Sequence, residues 1–377
     1  MSSPTPTEIY SPGLEGVIAG ETAISTIATG LQYRGYPVGE LCERSTFDEV
    51  AYLLLHGDLP TRSQLAEFNA RLTSAQKLPE VLSDLLRKLP KNAVPMDVVR
   101  TGVSILANYD ADLNDNSKAA NLRKAERLLA QIPLVIAEAF RATKDLPAVA
   151  PKPSLGFAAN MLYMLRGKEP DAFDTKAFDV SLILYAEHEF NASTFTARVV
   201  CSTESDLHSS ITAAIGALKG PLHGGANEKV MDLLLATGGP DKAEAWIRAA
   251  LAKKAKVMGF GHRVYKAGDV RARILKEYAK QAAERAGTQQ WEVAAETIEK
   301  VMEAEKKLYP NLDWPAGRLY HAMGLEVPLY TPFFVASRIT GWAAHVIEQL
   351  EHNRIIRPRS RYVGPADKLE RPINERG

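Results

Sequence analysis

The sequence predicts an all-α protein with two domains. Apolar residues recur at helical spacing through most of the chain, and a sustained alternation of period two is hard to find. Val, Ile and Thr are not clustered into short runs between turn signals, which argues against a β-sandwich or a series of β-α-β units. The length of 377 residues suffices for about two domains. No sequence signature recurs at a fixed period, so a helical solenoid is disfavoured.

The first clear helix is predicted to start after Thr46. Asp48 and Glu49 stand near its start, where the helix dipole favours negative charge, and Gly57 and Pro60 are typical of a helix end. The apolar stripe at helical spacing consists of Phe47, Val50, Ala51, Leu54 and Leu55.

Further helices are predicted along the rest of the chain. Three stretches are apolar around most of the helix circumference, which is typical of central helices covered by others: 133–140, 155–165 and 211–218. A Lys- and Glu-rich segment that ends before Pro310 is expected to keep one solvated face. Its apolar stripe consists of Trp291, Ala294, Ala295, Ile298 and Met302.

Composition excludes several functional classes. The formal net charge is +1, so no surplus positive field favours binding to nucleic acid or anionic lipid. The fractions of 46% hydrophobic and 24% charged residues are typical of a globular protein rather than a disordered one. Cys42 and Cys201 form no Cys-x-x-Cys pair, which indicates a reducing compartment. With no signal-like start and no apolar run of roughly 18 residues, we expect a cytoplasmic protein.

One loop, 220–227, has the sequence Gly-Pro-Leu-His-Gly-Gly-Ala-Asn and presents His223. Its glycines allow the backbone to approach a ligand closely and leave the imidazole unscreened by neighbouring side chains. The alternative is a plain turn between helices. Turns rarely need Gly-Pro, His and Gly-Gly in succession, so we favour a functional loop.

A second loop places Gly-Phe-Gly immediately before His262. A dinucleotide fingerprint would need a third glycine where Val264 stands and a preceding strand, and the sequence has neither. Arg271 follows nine residues after His262. From the sequence alone, a solvated helix arginine is favoured over a bidentate clamp on a carboxylate.

A third loop holds Asp313 between Pro310 and Pro315, beside Trp314. A neighbouring indole that excludes water would raise the pKa of the carboxyl towards that of a useful base. The alternative is a helix N-cap, and composition alone favours the cap. The chain lacks His-Glu-x-x-His and Gly-x-Ser-x-Gly, so neither a metal site nor a serine hydrolase is predicted.

Taken together, these segments resemble citrate synthase, and the chain is similar to its short, type I-like bacterial forms. The resemblance runs in order through nearly the whole chain. The segments that carry it are 13–25, Tyr33-Arg-Gly-Tyr36, 47–60, His188-Glu-Phe-Asn-Ala-Ser193, 220–227, 259–266, 311–317, Ser337-Arg338 and Arg357-Pro-Arg359.

The resemblance implies an all-α homodimer. Each subunit would have a large domain, 1–225 with 325–377, and a small domain, 226–324, that closes over the substrates. Asp313 matches the base that removes a proton from the methyl carbon of acetyl-CoA. His223 matches the residue that hydrogen-bonds the thioester oxygen. His262 matches the residue that polarises the oxaloacetate ketone and supplies a proton to the forming alkoxide.

The resemblance also implies the binding residues. Oxaloacetate would be held by His188, Arg271, Arg338 and, reaching in from the partner subunit, Arg357. Acetyl-CoA is implied as a co-substrate, with no permanently bound cofactor and no metal. The matching CoA contacts are Leu222, Lys256, Val257, Gly259, Lys266, Lys306 and Asn311. Where the family usually has Asp-Pro-Arg, this chain has Asp269-Val-Arg271, which removes a constraint on residue 269 and adds an amide donor.

We expect citrate synthase activity, with two alternatives. The first is a 2-methylcitrate synthase that prefers propionyl-CoA, because the two reactions differ by one methylene, a discrimination of roughly 1 to 3 kcal/mol in an apolar pocket. The lesser alternative is a non-catalytic helical scaffold, which would give no reason to keep His223, His262 and Asp313 on loops rich in glycine and proline. Assembly beyond the dimer and allosteric effectors are left open by the sequence.

Overall fold

The computed structural model describes residues 10–28, 30–262, 265 and 268–376. Within this part of the chain there are sixteen α-helices and one small antiparallel sheet, so the prediction of a helical protein is confirmed. No helix among the described residues is both long and apolar enough to span a lipid bilayer.

The sheet is the feature that helical periodicity did not predict. Its three strands follow one another in chain order: β1 (Ser25–Thr26), β2 (Gln32–Tyr33) and β3 (Tyr36–Pro37). Arg34 and Gly35 join β2 to β3 with φ of 49° and 90°, as the tightest hairpin turns require. Strands of two residues are too short to show an alternation in the sequence.

Ten helices precede the loop of His223. They are α1 (Val38–Arg44), α2 (Phe47–His56), α3 (Arg62–Ala75), α4 (Glu80–Lys88), α5 (Pro95–Ala107), α6 (Lys118–Thr143), α7 (Phe157–Arg166), α8 (Ala172–Tyr185), α9 (Ala192–Cys201) and α10 (Leu207–Leu218). Six follow it: α11 (Ala226–Thr237), α12 (Pro240–Ala252), α13 (Val270–Ala286), α14 (Gln289–Lys306), α15 (Asp313–Ala322) and α16 (Tyr330–Glu351). Short 3-10 helices lie at Pro12–Leu14, Val327–Leu329 and Ile373–Glu375.

The predicted helices are all present. In α2 the Thr46 side chain accepts a hydrogen bond from the Glu49 amide while Glu49 returns one to Thr46, and Gly57 ends the helix with a φ of 101°. The three predicted central stretches lie in α6, α7 and α10, with Pro133 inside α6. The stripe around Trp291 lies in α14.

Helix α16 forms the centre of the fold. Every residue from Tyr330 to Ile347 is buried, and the helix packs against α2, α5, α6, α8, α9, α10 and α11. Such a helix must be apolar or internally paired around its whole circumference. Its polar residues therefore need specific partners, and these partners lead to the site described below.

Helices α11 to α15 pack largely on one another: α12 lies on α14, and α15 lies on both α11 and α13. They also meet the rest of the fold, because α13 contacts α1 and α8 and α11 contacts α16. The predicted boundary at residue 226 coincides with the start of α11. The division into a large and a small domain stays a prediction.

Candidate active site

A cavity of about 460 Å³ lies where four interhelical loops meet α16. These loops precede α9, α11, α13 and α15. The cavity collects most of the residues that the sequence singled out: His188, His223, His262, Arg271, Asp313, Arg338, Leu222, Lys256, Val257, Gly259 and Asn311. Side chains from distant parts of the sequence therefore share one concave site, the usual setting of an active site.

Asp313 is the first residue of α15, and its carboxylate faces α8. The Tyr185 hydroxyl donates a hydrogen bond of 2.7 Å to the Asp313 carboxylate. The interpretation of Asp313 as an N-cap is wrong, because Leu312 holds that position and no side chain caps the helix. Burial raises the pKa of Asp313 to about 6, although the Tyr185 hydrogen bond acts in the opposite direction. The carboxylate is therefore suited to act as a base near neutral pH.

Trp314, the indole next to Asp313, is fully buried. Its ring packs against Phe260 at a centroid distance of 4.5 Å, and its Nε1 donates to Glu299 over 2.8 Å. The hydrogen-bond partner of the Asp313 carboxylate is therefore the Tyr185 phenol, whereas the indole of Trp314 bonds Glu299.

The imidazole of His223 is held by the N-terminal turn of α9. The backbone amide of Ser193, in the first turn of α9, donates to His223 Nε2 over 3.3 Å, and the Ser193 hydroxyl lies 2.7 Å from the same nitrogen. An amide only donates, so Nε2 is the acceptor and the hydrogen of the neutral ring is on Nδ1. Burial, together with Arg338, lowers the pKa of His223 to about 3. The imidazole is therefore a neutral donor.

His262 uses its two nitrogens the other way round. Its Nδ1 accepts the backbone N–H of Tyr265 over 3.3 Å, so Nε2 carries the ring hydrogen. The ring stacks on Tyr265 at 4.6 Å and meets His188 edge-on at 5.0 Å. The cavity thus holds two imidazoles that present opposite nitrogens.

His188 lies in the loop 186–191 between α8 and α9. Its Nε2 is 3.0 Å from the Tyr265 hydroxyl. Burial, reinforced by Arg271, lowers the pKa of His188 well below its usual value. Asn191 caps α9 and also donates to the His188 carbonyl over 3.2 Å, which fixes the loop. His188 therefore lines the cavity as a neutral imidazole that can form hydrogen bonds.

Arg271 is buried, so its interpretation as a solvated helix arginine is wrong. It is the second residue of α13 and forms a bidentate pair with Asp269, with N–O distances of 3.1 and 2.8 Å. Val270, in the place of the proline usual in the family, is the first residue of that helix. The helix start is therefore kept, because the first position tolerates either residue.

Arg338 projects from α16 towards the same cavity. Its Nε donates to the Tyr185 carbonyl over 2.6 Å, and its guanidinium lies 4.6 Å from the centre of the Phe334 ring. Among the described residues, its buried NH1 has no hydrogen-bond partner. Burial lowers the pKa of Arg338 to about 10, which still leaves it charged at neutral pH. A buried guanidinium edge without a partner suits a carboxylate ligand.

Hydrogen bonds of Asn311 connect the predicted CoA-binding loop to Asp313. Asn311 donates from its backbone to Gly259 over 2.9 Å and from its side chain to Gly261 over 3.0 Å, and it accepts the Asp313 amide over 3.1 Å. Gly259 has a φ of 85°, and a Cβ there would lie 2.8 Å from the Trp314 ring. Glycine is thus required where the loop crosses the indole.

Two predicted residues lie away from the cavity, and the position of a third is not described. Lys306, the last residue of α14, is exposed and does not line it. Arg357 lies exposed in the extended segment after α16. Lys266 lies outside the described residues.

Sequence reasoning missed several residues of the site. Ser193 stood in a segment of the resemblance but received no role, and Asp269 stood two residues before Arg271. Tyr185 and Phe334, whose rings are 4.1 Å apart, belong to apolar helical stretches and carried no local signal. The only sequence signal for Tyr265 was its position three residues after His262.

Other reactive groups lie away from this chemistry. Burial raises the pKa of both Cys42 and Cys201 to about 12, so these thiols stay protonated. In the described part of the chain, no group of three or more His, Cys, Asp or Glu residues is placed to hold a metal ion.

Comparison with known proteins identifies the family of the chain. The family profile "Citrate synthase, C-terminal domain" matches residues 13–359. The chain is 48% identical over 384 residues to 2-methylcitrate synthase 2 of Corynebacterium glutamicum, covering 100% of both chains. It is 45% identical over 366 residues to citrate synthase 2 of Bacillus subtilis, covering 97% of this chain and 98% of the relative.

A solved structure shares the fold. It is the ternary complex of carboxymethyl coenzyme A and oxaloacetate with citrate synthase from Thermoplasma acidophilum, with a TM-score of 0.94 and 34% identity over 98% of this chain and 100% of that chain. The expected all-α citrate synthase fold is thus confirmed. The scaffold alternative loses its support, because relatives that cover the whole chain are named as enzymes. The chain belongs to the citrate synthase family and is an enzyme of the acyl-condensing transferase type.

Proposed function

We propose that the chain joins the α-carbon of a short acyl-CoA thioester to the ketone carbon of oxaloacetate and then hydrolyses the thioester. One observation carries this proposal: a single cavity holds a carboxylate with a pKa of about 6 and two imidazoles that present opposite nitrogens. A thioester α-carbon is a weak acid, so its deprotonation needs both a base and a donor at the oxygen where charge develops.

Each group then has one task in the condensation. Asp313 removes a proton from the α-carbon while the Nδ1–H of His223 stabilises the enolate oxygen. The α-carbon attacks the ketone carbon, and the Nε2–H of His262 gives its proton to the alkoxide. Water then cleaves the thioester, which releases free CoA and the tricarboxylate. No metal and no permanently bound cofactor takes part, and we place the reaction in the cytoplasm.

Oxaloacetate recognition rests on His188 and the two buried arginines. Arg271 keeps its guanidinium in place through Asp269, and Arg338 offers its NH1 to a carboxylate. Planar guanidinium groups bind carboxylates in a forked geometry that lysine lacks. We propose that Arg357 of a second subunit completes the site in a homodimer, because in its own chain this residue is exposed after α16.

Citrate from acetyl-CoA is the proposed product, and 2-methylcitrate from propionyl-CoA is the second candidate. Both names occur among relatives of nearly equal identity, at 48% and 45%. A structural observation also favours the second candidate: the paired rings of Tyr185 and Phe334 line the cavity beside Asp313. An aromatic wall near the base provides an apolar surface for one extra methyl group.

The test is release of the CoA thiol in the presence of oxaloacetate, with kcat/KM measured for acetyl-CoA and for propionyl-CoA. Asp313→Ala serves as the catalytic control, with circular dichroism to confirm its fold. Faster turnover of acetyl-CoA supports citrate synthase, whereas faster turnover of propionyl-CoA supports 2-methylcitrate synthase. If the wild type consumes neither thioester, or if the folded variant stays active, the proposed chemistry is wrong.

A further inference from the structure

We propose that Tyr33 and Ser25, on the small sheet, are positioning residues that hold the loop 186–191, and with it His188, in the arrangement that binds oxaloacetate. This inference rests on the proposed function, because it assigns a purpose to residues around the same site. Neither side chain lines the cavity, so each would act through the loop.

Tyr33 closes the carboxyl end of α8. The last carbonyls of a helix lack partners within the helix and must be satisfied from outside. The buried Tyr33 hydroxyl lies 3.0 Å from the Ile183 carbonyl and 3.1 Å from the Glu187 carbonyl. It also accepts the Glu187 amide over 3.3 Å. One hydroxyl thus joins the last turn of α8 to the residue immediately before His188.

Ser25 holds the next part of the loop. Its hydroxyl donates to the Glu187 carboxylate over 3.0 Å and accepts the Glu189 amide over the same distance. The Ile27 amide donates to the Glu189 carboxylate over 2.9 Å. Glu189 has a φ of 48°, a left-handed conformation that costs energy for a residue other than glycine. These hydrogen bonds surround His188 on both sides in the sequence and offset that cost.

The sheet is itself anchored to a rigid element. Arg34 donates to the Leu54 carbonyl at the end of α2 over 3.0 Å, and the Tyr36 hydroxyl donates to Asp58 over 2.6 Å. The sheet therefore connects α2 to the loop of His188. Two-residue strands contribute little stability alone, although Tyr33 is also part of the hydrophobic core.

The charge around Tyr33 agrees with this role. Burial raises the pKa of the phenol, and the nearby cations Arg271 and Arg338 only partly oppose that shift. Tyr33 thus remains a neutral donor close to both arginines assigned to the oxaloacetate carboxylates. Loss of its hydroxyl should disturb oxaloacetate binding before it disturbs the acyl-CoA side.

The test is Tyr33→Phe in the full-length protein, with oxaloacetate binding measured by calorimetry and steady-state constants measured for both substrates. The change removes the hydroxyl that joins the Ile183 and Glu187 carbonyls, while the Ile183 carbonyl keeps the Ala186 amide as a donor. We expect the Kd and the KM for oxaloacetate to rise about tenfold, as for loss of one buried hydrogen bond. We expect kcat and the KM for acyl-CoA to change less than about twofold, since neither depends on an interaction made only through this loop.

Tyr330→Phe is the matched control, because the Tyr330 hydroxyl is also buried and donates to a backbone carbonyl, that of Leu325, outside the cavity. It should lower the melting temperature while oxaloacetate affinity stays unchanged. Ser25→Ala is the second variant, with an expected rise of about threefold in the same KM, and it decides the matter if Tyr33→Phe does not fold.

The outcomes separate the two proposals. If the wild type fails to bind oxaloacetate, the proposed function fails. If the wild type binds it and the Tyr33 variant binds equally well, or if the Tyr330 control weakens binding as much, the positioning role is overturned.

Discussion

The two imidazoles of the cavity are held by different kinds of structure. His223 accepts the N–H of Ser193 from the first turn of α9, thirty positions away in the sequence. His262 accepts the N–H of Tyr265, only three residues further along its own loop. The first is fixed by a helix packed on α16, and the second is oriented in part by its own loop. We infer that the His223 side of the site is preformed by helix packing.

Asp313 belongs to both sides. It stands at the start of α15, which packs on α11 and α13, yet its carboxylate is hydrogen-bonded to Tyr185 at the end of α8. The base therefore bridges the two groups of helices, and the predicted domain closure would act directly on this bond. The predictions below test the comparison in order of decreasing effect.

The largest loss is expected for Asp313→Asn. The amide keeps the size of the side chain but cannot remove a proton, so kcat should fall by roughly 10²- to 10⁴-fold. Thiol release gives the rate, and circular dichroism gives the fold. A folded variant within tenfold of the wild type would mean that another group is the base.

Replacement of the preformed imidazole, His223→Ala, should lower kcat by roughly 10²- to 10³-fold, the usual cost of losing an oxyanion donor. Ser193→Ala is the more specific variant for comparison. It removes the Ser193 hydroxyl but keeps the backbone amide that sets the tautomer of His223. Its kcat should stay within about tenfold of the wild type. Equal losses in the two variants would show that the hydroxyl, not the amide, orients the ring.

Arg357→Ala should raise the KM for oxaloacetate by about tenfold or more, as expected for a charge-assisted contact. Refolding a mixture of Arg357→Ala and His223→Ala subunits tests whether the arginine acts across the dimer. At equal amounts, half of the dimers would be mixed and one site in each would be intact. At an oxaloacetate concentration well below the KM of the Arg357 variant, about a quarter of the wild-type activity should therefore return. Activity no greater than the sum of the two variants alone would place Arg357 outside the partner's site.

The smallest change in rate is expected for Tyr185→Phe, which should leave kcat within about tenfold of the wild type. The informative quantity is its pH profile. Asp313 acts as a base only when ionised, so activity is lost as pH falls through its pKa of about 6. The Tyr185 hydrogen bond lowers that pKa. Its removal should therefore move the acidic limb of kcat/KM to higher pH, and an unmoved limb would separate Tyr185 from the base.

Local sequence signals drew attention to part of the site. His223 and His262 stand among glycines, and Asp313 stands between prolines. For Asp313, however, the local signal favoured a helix cap, and its role as the base came from the resemblance alone. The apolar stripe of α2 and its Thr46 cap are equally local. Such features can be inferred from a few neighbouring residues in the sequence.

The parts that could not be predicted depend on contacts between distant segments. The hydrogen bond from Tyr185 to Asp313 joins residues 128 positions apart, and the sequence near either residue contains no signal that predicts it. Arg271 was expected in solvent because its burial comes from the packing of α13 on α1 and α8. The strands of the small sheet are no longer than one period of alternation.

The central helix α16 restricts how this enzyme can change. Phe334, Arg338, Trp342 and His345 follow at intervals of four, four and three, so they lie on one face. Besides the contacts of Phe334 and Arg338, Trp342 donates to the Ser193 hydroxyl and His345 pairs with the Glu187 carboxylate. Inserting one residue would rotate everything beyond it by about 100° and separate these four contacts. New acyl specificity can therefore arise by exchanging side chains that line the cavity, but not by lengthening or shortening this helix.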